Sequence, residues 1–183
     1  KFIEYDYKLQ KSVKEELGDF KHWNLKEIHD QSNIVKKITC NGARIKNNNI
    51  KFGGLTEYRE KILSSDNIIL VGCGTSYNAC LFSQSFWANF CNFKNIIVID
   101  ACNYSESLIP KNSKNVFIFV SQSGETKDLY SVMNKVTGLK IGVINVVESL
   151  IAREVDCGVY MCMGIEKSVA STKVFTAEIL LLI

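Results

Sequence analysis

The sequence predicts a doubly wound α/β domain: a five-stranded parallel sheet with helices on both faces. Three observations point there. Five short runs of β-branched and apolar residues, at 68–72, 96–101, 116–120, 141–146 and 158–161, are nearly continuous in hydrophobicity, as strands buried on both faces are. Helix-compatible segments separate most of them, the alternation that builds parallel sheets. Two of the runs end in clusters of glycine, serine and threonine, which suits strands that open directly into helix N-termini.

Residues 1–23 are polar and charged, and they read as a leading arm or the end of a linker from an upstream domain. The domain proper is expected over 24–183. From Asn24, apolar positions at Leu25, Ile28, Ile34, Val35 and Ile38 recur at three- and four-residue spacing, the mark of an amphipathic helix. Residues 41–54, with asparagines at 47–49 and Gly53-Gly54, read as a loop. Helices are expected at 77–90, 125–137 and 149–154, with a short turn at 105–109. The segment from Thr172 starts as a helix and stops on Leu180-Leu181-Leu182-Ile183, with neither a glycine cap nor a polar tail. It reads as a helix cut short, its last four residues exposed and prone to self-association.

Composition removes several classes of function. With 183 residues, 46% of them hydrophobic, the chain can bury one sizeable core. The net charge of +3 arises from 22 basic and 19 acidic residues scattered along the chain. No basic run interleaved with aromatics follows a phosphodiester backbone, so nucleic acid is not an expected partner. The apolar runs fall short of the ~20 residues of a membrane span, and the N-terminus lacks the plan of a signal peptide. A soluble cytoplasmic protein is expected. Seven cysteines without a regular framework fit reduced thiols in a reducing compartment. Cys157 and Cys162 lack the C-x-x-C spacing, and His22 and His29 lie far from every cysteine pair, so neither a metal nor a cofactor is expected.

Candidate chemistry gathers at two strand ends. The first strand runs into Gly72-Cys73-Gly74-Thr75-Ser76, and the third into Ser121-Gln122-Ser123-Gly124-Glu125-Thr126. A tight turn entering a helix presents free N–H groups and the positive end of the helix dipole to an anion. Ser121, Ser123 and Thr126 add hydroxyls, and Gly124 permits close approach, which makes a phosphate cradle without lysine. Ser123 alone would read as a helix cap; four polar residues and a glycine at one strand end favour phosphate. The first motif departs from the dinucleotide fingerprint G-x-G-x-x-G at Tyr77, where a side chain would obstruct close packing of helix on strand. Asp100, ending the second strand, is where a dinucleotide site would hold a ribose. The P-loop pattern is absent.

These residues resemble the isomerase domain of the glutamine–fructose-6-phosphate aminotransferase family. The resemblance rests on Leu25-Lys26-Glu27-Ile28 with Gln31, on Cys73-Gly74-Thr75-Ser76-Tyr77, on Ser121-Gln122-Ser123-Gly124-Glu125-Thr126, and on Glu166 followed by Val169-Ala170-Ser171-Thr172-Lys173 and Phe175, in the family's order. It covers roughly residue 20 to the end and implies a SIS fold, a flavodoxin-like sheet. The chain then corresponds to the first of two SIS halves, with a glutaminase domain and the second SIS half outside it. The implied reaction converts fructose 6-phosphate and glutamine to glucosamine 6-phosphate and glutamate, in a homodimer or higher homo-oligomer. Carried over by motif, phosphate contacts fall on Ser76, Ser121, Gln122, Ser123 and Thr126, and sugar contacts on Thr75, Val169 and Ser171.

No catalytic residue is implied within this chain. The family's acid–base glutamate, lysine and histidine belong to the second half and the C-terminal tail, and its glutamine-hydrolysing cysteine opens a separate domain, whereas this chain begins with Lys1. Lys173 and Cys73 read as structural. Two departures stand out: Lys167-Ser168 where the family has isoleucine-glycine, and Val147-Glu148-Ser149-Leu150 where many eukaryotic relatives carry valine-glycine-serine-serine, a region tied there to inhibition by UDP-N-acetylglucosamine. A non-catalytic SIS sugar-phosphate sensor, or a ketose–aldose isomerase with one SIS domain, would keep the same cradle.

Overall fold

A computed structural model describes residues 16–183; residues 1–15, most of the expected arm, lie outside the described residues. The chain enters through α1 (Trp23–Asp30), a 3-10 turn (Gln31–Asn33) and α2 (Ile34–Ile38). The single leading helix expected from spacing is thus broken. The Ser32 hydroxyl donates to the His29 carbonyl at 3.1 Å, a local bond that competes with the helix ladder. Inside the expected loop, β1 (Ile45–Lys46) and β2 (Asn49–Ile50) pair as an antiparallel hairpin. Its two turn residues, Asn47 (φ 52°) and Asn48 (φ 58°), are both left-handed, as a type I′ turn requires and as asparagine tolerates. A short α3 (Arg59–Leu63) leads to the sheet.

The five expected strands are present as β3 (Asn67–Gly72), β4 (Asn95–Asp100), β5 (Asn115–Ser121), β6 (Leu139–Ile144) and β7 (Cys157–Tyr160). They are joined by α4 (Thr75–Phe90), a pair of 3-10 turns after β4, α5 (Lys127–Lys135) and α6 (Leu150–Glu154), and followed by α7 (Lys173–Leu182). All pairings are parallel, in the order β4-β3-β5-β6-β7. The chain builds outward from β3 to β4, then crosses to continue with β5. The order therefore reverses between β3 and β5, and a crevice opens there beyond their carboxyl ends.

Alternate strand residues feed two cores. On one face Ile68, Leu70, Ile118, Val120, Ile141 and Val143 pack with Cys80 of α4 and with Val174, Ala177 and Leu182 of α7. On the other, Ile69, Val71, Phe117 and Phe119 pack with Leu129, Val132 and Met133 of α5 and Ile151 of α6. Each fully buried Ile, Leu or Phe contributes about 1.5–3 kcal/mol of transfer free energy, so double coverage of the sheet is the main stabilising term. Of the C-terminal run expected to be exposed, Leu182 is instead buried in the first core, and its carbonyl accepts from Trp87 Nε1 at 2.6 Å.

The start of the sheet carries a polar ladder. Asn67 pairs in register with Asn95 on one side and Asn115 on the other. Asn95 Nδ2 donates to Asn67 Oδ1 at 2.7 Å, and Asn67 Nδ2 donates to Asn115 Oδ1 at 2.8 Å. Among the described residues no helix is long and apolar enough to cross a membrane.

Candidate functional site

The two motifs singled out in the sequence flank the crevice between β3 and β5. At the end of β5 the Ser121 hydroxyl accepts the Gly124 N–H at 2.9 Å and lies 3.3 Å from the Thr126 hydroxyl, while the Ser123 hydroxyl accepts the Glu125 N–H at 3.2 Å. Both serine oxygens are therefore acceptors inside the loop. The Thr126 side chain makes no capping bond to α5, leaving the first-turn N–H groups of that helix without an intrahelical or capping partner.

Gly124 is required twice over. Its φ of +66° is left-handed, and a Cβ there would stand 2.0 Å from Ser149 Oγ. Glu125 turns away from the crevice and accepts the Leu150 N–H at 2.8 Å, tying the cradle to the start of α6. Gln122, Ser123 and Thr126 are half-buried, and Ser121 is buried.

At the end of β3, Gly74 takes φ +56° and ψ −124° to turn the chain into α4. Gly72 lets that turn pack down, since a Cβ on it would sit 2.7 Å from the Tyr77 nitrogen. Thr75 opens α4 and is exposed. Ser76 behaves differently from its neighbours: its hydroxyl points inward and donates to Glu178 Oε1 at 2.7 Å. What Ser76 turns to the crevice is its backbone N–H, in the first turn of α4.

Glu178, on α7, is 1% exposed, and its second oxygen, Oε2, has no hydrogen-bond partner. Burial, reinforced by Glu166 and only partly offset by the Ser76 bond, pushes its carboxyl up to about 8. This side chain escaped the sequence reading. The signal available was one acid set among the mostly apolar residues that follow Lys173.

The segment between β7 and α7 is organised by two carboxylates. Glu166 accepts from the Ser171 hydroxyl at 2.8 Å, from the Thr172 N–H at 2.9 Å and from the Val174 N–H at 3.2 Å. Glu27 on α1, 1% exposed, accepts the Lys167 N–H at 2.6 Å together with the N–H and hydroxyl of Ser168. The Lys167 ammonium lies 3.9 Å above the Trp23 ring. Lys167-Ser168, a departure from the family pattern, thus anchors this loop to the leading helix. Val169 projects fully into solvent at the loop's tip, while the Ser171 hydroxyl is held by Glu166. Lys173 is fully buried, and its Nζ donates to the Ile165 carbonyl at 2.8 Å, a structural placement.

Beside the crevice, on the β4 side, the fold brings together residues that spacing along the chain kept apart. Cys73 Sγ lies 4.0 Å from Cys102 Sγ, and the Cys102 thiol donates to Asp128 Oδ2 at 3.4 Å. The Asp128 hydrogen bond pushes Cys102 up to about 12, and burial pushes Cys73 up as well. Neither thiol is an activated nucleophile. His22 and His29 are exposed, away from this cluster. An apolar cavity of about 500 Å³, lined by Phe52, Phe86, Trp87, Val143, Leu181 and Ile183, is separate from the crevice. Its lining suits hydrocarbon rather than phosphate.

Residues 61–182 match the SIS domain. The chain is 41% identical over 166 residues to a probable glutamine–fructose-6-phosphate aminotransferase (isomerizing) of Acanthamoeba polyphaga mimivirus, covering 89% of this chain and 27% of that protein. It is 33% identical over 185 residues to the glutamine–fructose-6-phosphate aminotransferase (isomerizing) of Chlorobaculum tepidum, covering 98% and 29%. The chain thus spans little more than a quarter of these relatives. Among solved structures, the C-terminal domain of glucosamine-fructose-6-phosphate aminotransferase from Francisella tularensis superposes with a TM-score of 0.79 at 29% identity, over 92% of this chain and 47% of that one. With its parallel sheet, its switch-point crevice and the match over 61–182, the chain belongs to the SIS domain family.

Proposed function

We propose that this chain is the sugar-phosphate-binding half of the isomerase domain of a glutamine–fructose-6-phosphate aminotransferase. One observation carries the proposal: two helix N-termini and the Ser121–Thr126 loop converge on one crevice, with the loop's serine oxygens already satisfied by backbone N–H groups. The Ser123 hydroxyl proton remains to be donated to an anion, and Ser121 and Thr126, 3.3 Å apart, can turn theirs from each other to the same anion. The phosphate of fructose 6-phosphate or glucosamine 6-phosphate would take hydroxyl protons from Ser121, Ser123 and Thr126, amide contact from Gln122 and the backbone N–H of Ser76. Thr75, Val169 and Ser171 would face the neutral sugar. Hydroxyls and backbone groups suit a polyol, and the two helix ends suit a dianion.

Isomerisation moves a proton between C1 and C2 and needs a base and a group that opens the ring. In this reading both come from a second SIS half. A glutaminase domain, followed in this reading by the arm at 1–23, would supply ammonia, and the assembly would be a homodimer or larger. A cytoplasmic setting fits the free thiols of all seven cysteines.

Calorimetric titration with fructose 6-phosphate, glucosamine 6-phosphate and unphosphorylated fructose tests this reading. Binding that needs the phosphate, and that weakens in Ser123→Ala and Thr126→Ala, is the expected result. Fructose binding as tightly as its phosphate would refute it. The chain alone is expected to form no glucosamine 6-phosphate, and clear turnover would overturn the assignment of catalysis to another half.

A further inference from the structure

We propose that Cys73, Asp100 and Cys102 form a site for a thiophilic divalent cation of the zinc type, at the carboxyl ends of β3 and β4. One ligand atom from each of the three residues lies within 4.8 Å of the other two. The two sulfurs are 4.0 Å apart. Two thiolates on a tetrahedral zinc, with bonds of about 2.3 Å, sit about 3.8 Å apart, so the pair is already near the spacing the metal imposes. A disulfide would require the sulfurs to close to about 2.05 Å.

The surroundings also fit a metal. Asp100 is oriented by bonds its oxygens accept from the Cys102 N–H at 3.2 Å and from Asn103 Nδ2 at 3.4 Å, the outer-shell support that fixes a ligating carboxylate. Asp128 holds the Cys102 thiol in place before the metal binds, by accepting its proton at 3.4 Å; once that proton has left, its carboxylate adds negative charge beside the dication. Two carboxylates and two thiols concentrate acceptor groups that a dication would satisfy together. Cys102 is exposed, which provides the entry path, and the fourth position is left to water.

Binding releases one proton from each thiol to solvent and forms two metal–sulfur bonds and one metal–oxygen bond, with no change of oxidation state. Parallel pairing of β3 with β4, which sets Gly72 beside Asp100, assembles the site from cysteines 29 residues apart. Cys73 precedes Gly74-Thr75, so a bound ion would fasten the end of β4 to the turn that opens α4.

The test uses the reduced, chelator-stripped protein titrated with cobalt(II) as a spectroscopic stand-in, then with zinc to displace it. One equivalent of cobalt is expected to give a sulfur-to-metal charge-transfer band and the visible bands of a tetrahedral site, both removed by zinc. Cys102→Ser, at an exposed position that leaves the core intact, is expected to abolish the charge-transfer band. Asp100→Asn is expected to weaken cobalt binding about tenfold or more. Cys162→Ser, at a separate exposed thiol, should leave the band unchanged. No band in the folded, reduced protein, a band that survives Cys102→Ser, or one lost only in Cys162→Ser would overturn the proposal.

Discussion

Replacing Glu178 by glutamine isolates the energetic cost of a carboxyl buried between α4 and α7. Burial raises this group from an ordinary 4.5 to about 8. Each unit of difference is worth about 1.4 kcal/mol, so the ionised form is disfavoured in the fold by about 5 kcal/mol. The native state therefore holds a proton that the unfolded chain releases throughout the interval between those two values. In that window the folded state binds more protons, so stability falls as pH rises: it is fullest below about pH 4.5 and lowest above about pH 8. At pH 7 about 3 kcal/mol of the cost is already incurred. Glutamine keeps an acceptor for the Ser76 hydroxyl and does not titrate. Its amide hydrogens go unpartnered at the place of Oε2, a fixed cost of about 1–3 kcal/mol that moves the whole curve without tilting it. The diagnostic is the slope. Urea unfolding of both proteins at pH 5, 6, 7 and 8 should show stability falling in the native protein by about 1 kcal/mol or more per unit, with m unchanged, and a flatter profile in Glu178→Gln. Parallel profiles would mean that Glu178 does not carry its proton into the fold, and the argument would fail.

Gly124→Ala should lower stability by about 2 kcal/mol or more, through left-handed strain and the clash with Ser149, and should abolish sugar-phosphate binding, read by thermal melts and calorimetry. Ser123→Ala and Thr126→Ala should each weaken phosphate binding by about tenfold or more, the loss of one hydrogen bond to a charged group. Glu27→Gln should destabilise the loop at 164–172 by about 2 kcal/mol, seen as faster amide exchange at Lys167 and Ser168 while the sheet amides keep their protection. Asn67→Ala, which removes the centre of the asparagine ladder, should cost about 2 kcal/mol in chemical denaturation without moving the strand boundaries.

The inner strands β3, β5 and β6 were legible because they are buried on both faces and so written largely in Ile, Val, Leu and Phe; β3 is buried from Asn67 to Gly72. What went unread was local or long-range. The hairpin at 45–50 hid in a run of asparagines that reads as loop, although two of them supply the left-handed turn that joins its strands. The leading helix looked continuous because apolar spacing does not register a serine that bonds back to its own backbone. In the site, the hydroxyls after β5 could be found because a strand end followed by a helix fixes where they must lie. The direction of the Ser76 side chain could not, since its partner is 102 residues further along. The same holds for Glu27, whose role appears only once the loop beyond β7 folds back onto α1.

The asparagine ladder lies at the opposite end of the strands from the chemistry, about 20 Å away for strands of this length. It acts as a common floor. Asn67, Asn95 and Asn115 are locked side by side, and strands of equal rise built on a level floor must finish level at the top. The turn after β3 and the loop after β5 meet at one height because the strands beneath them are held in register, in part by three side-chain amides, none of which could touch a ligand. A one-step slip at the floor would lift one lip of the crevice above the other and exchange that strand's two faces. Anyone transplanting this crevice onto another sheet would therefore have to carry its footing along with its rim.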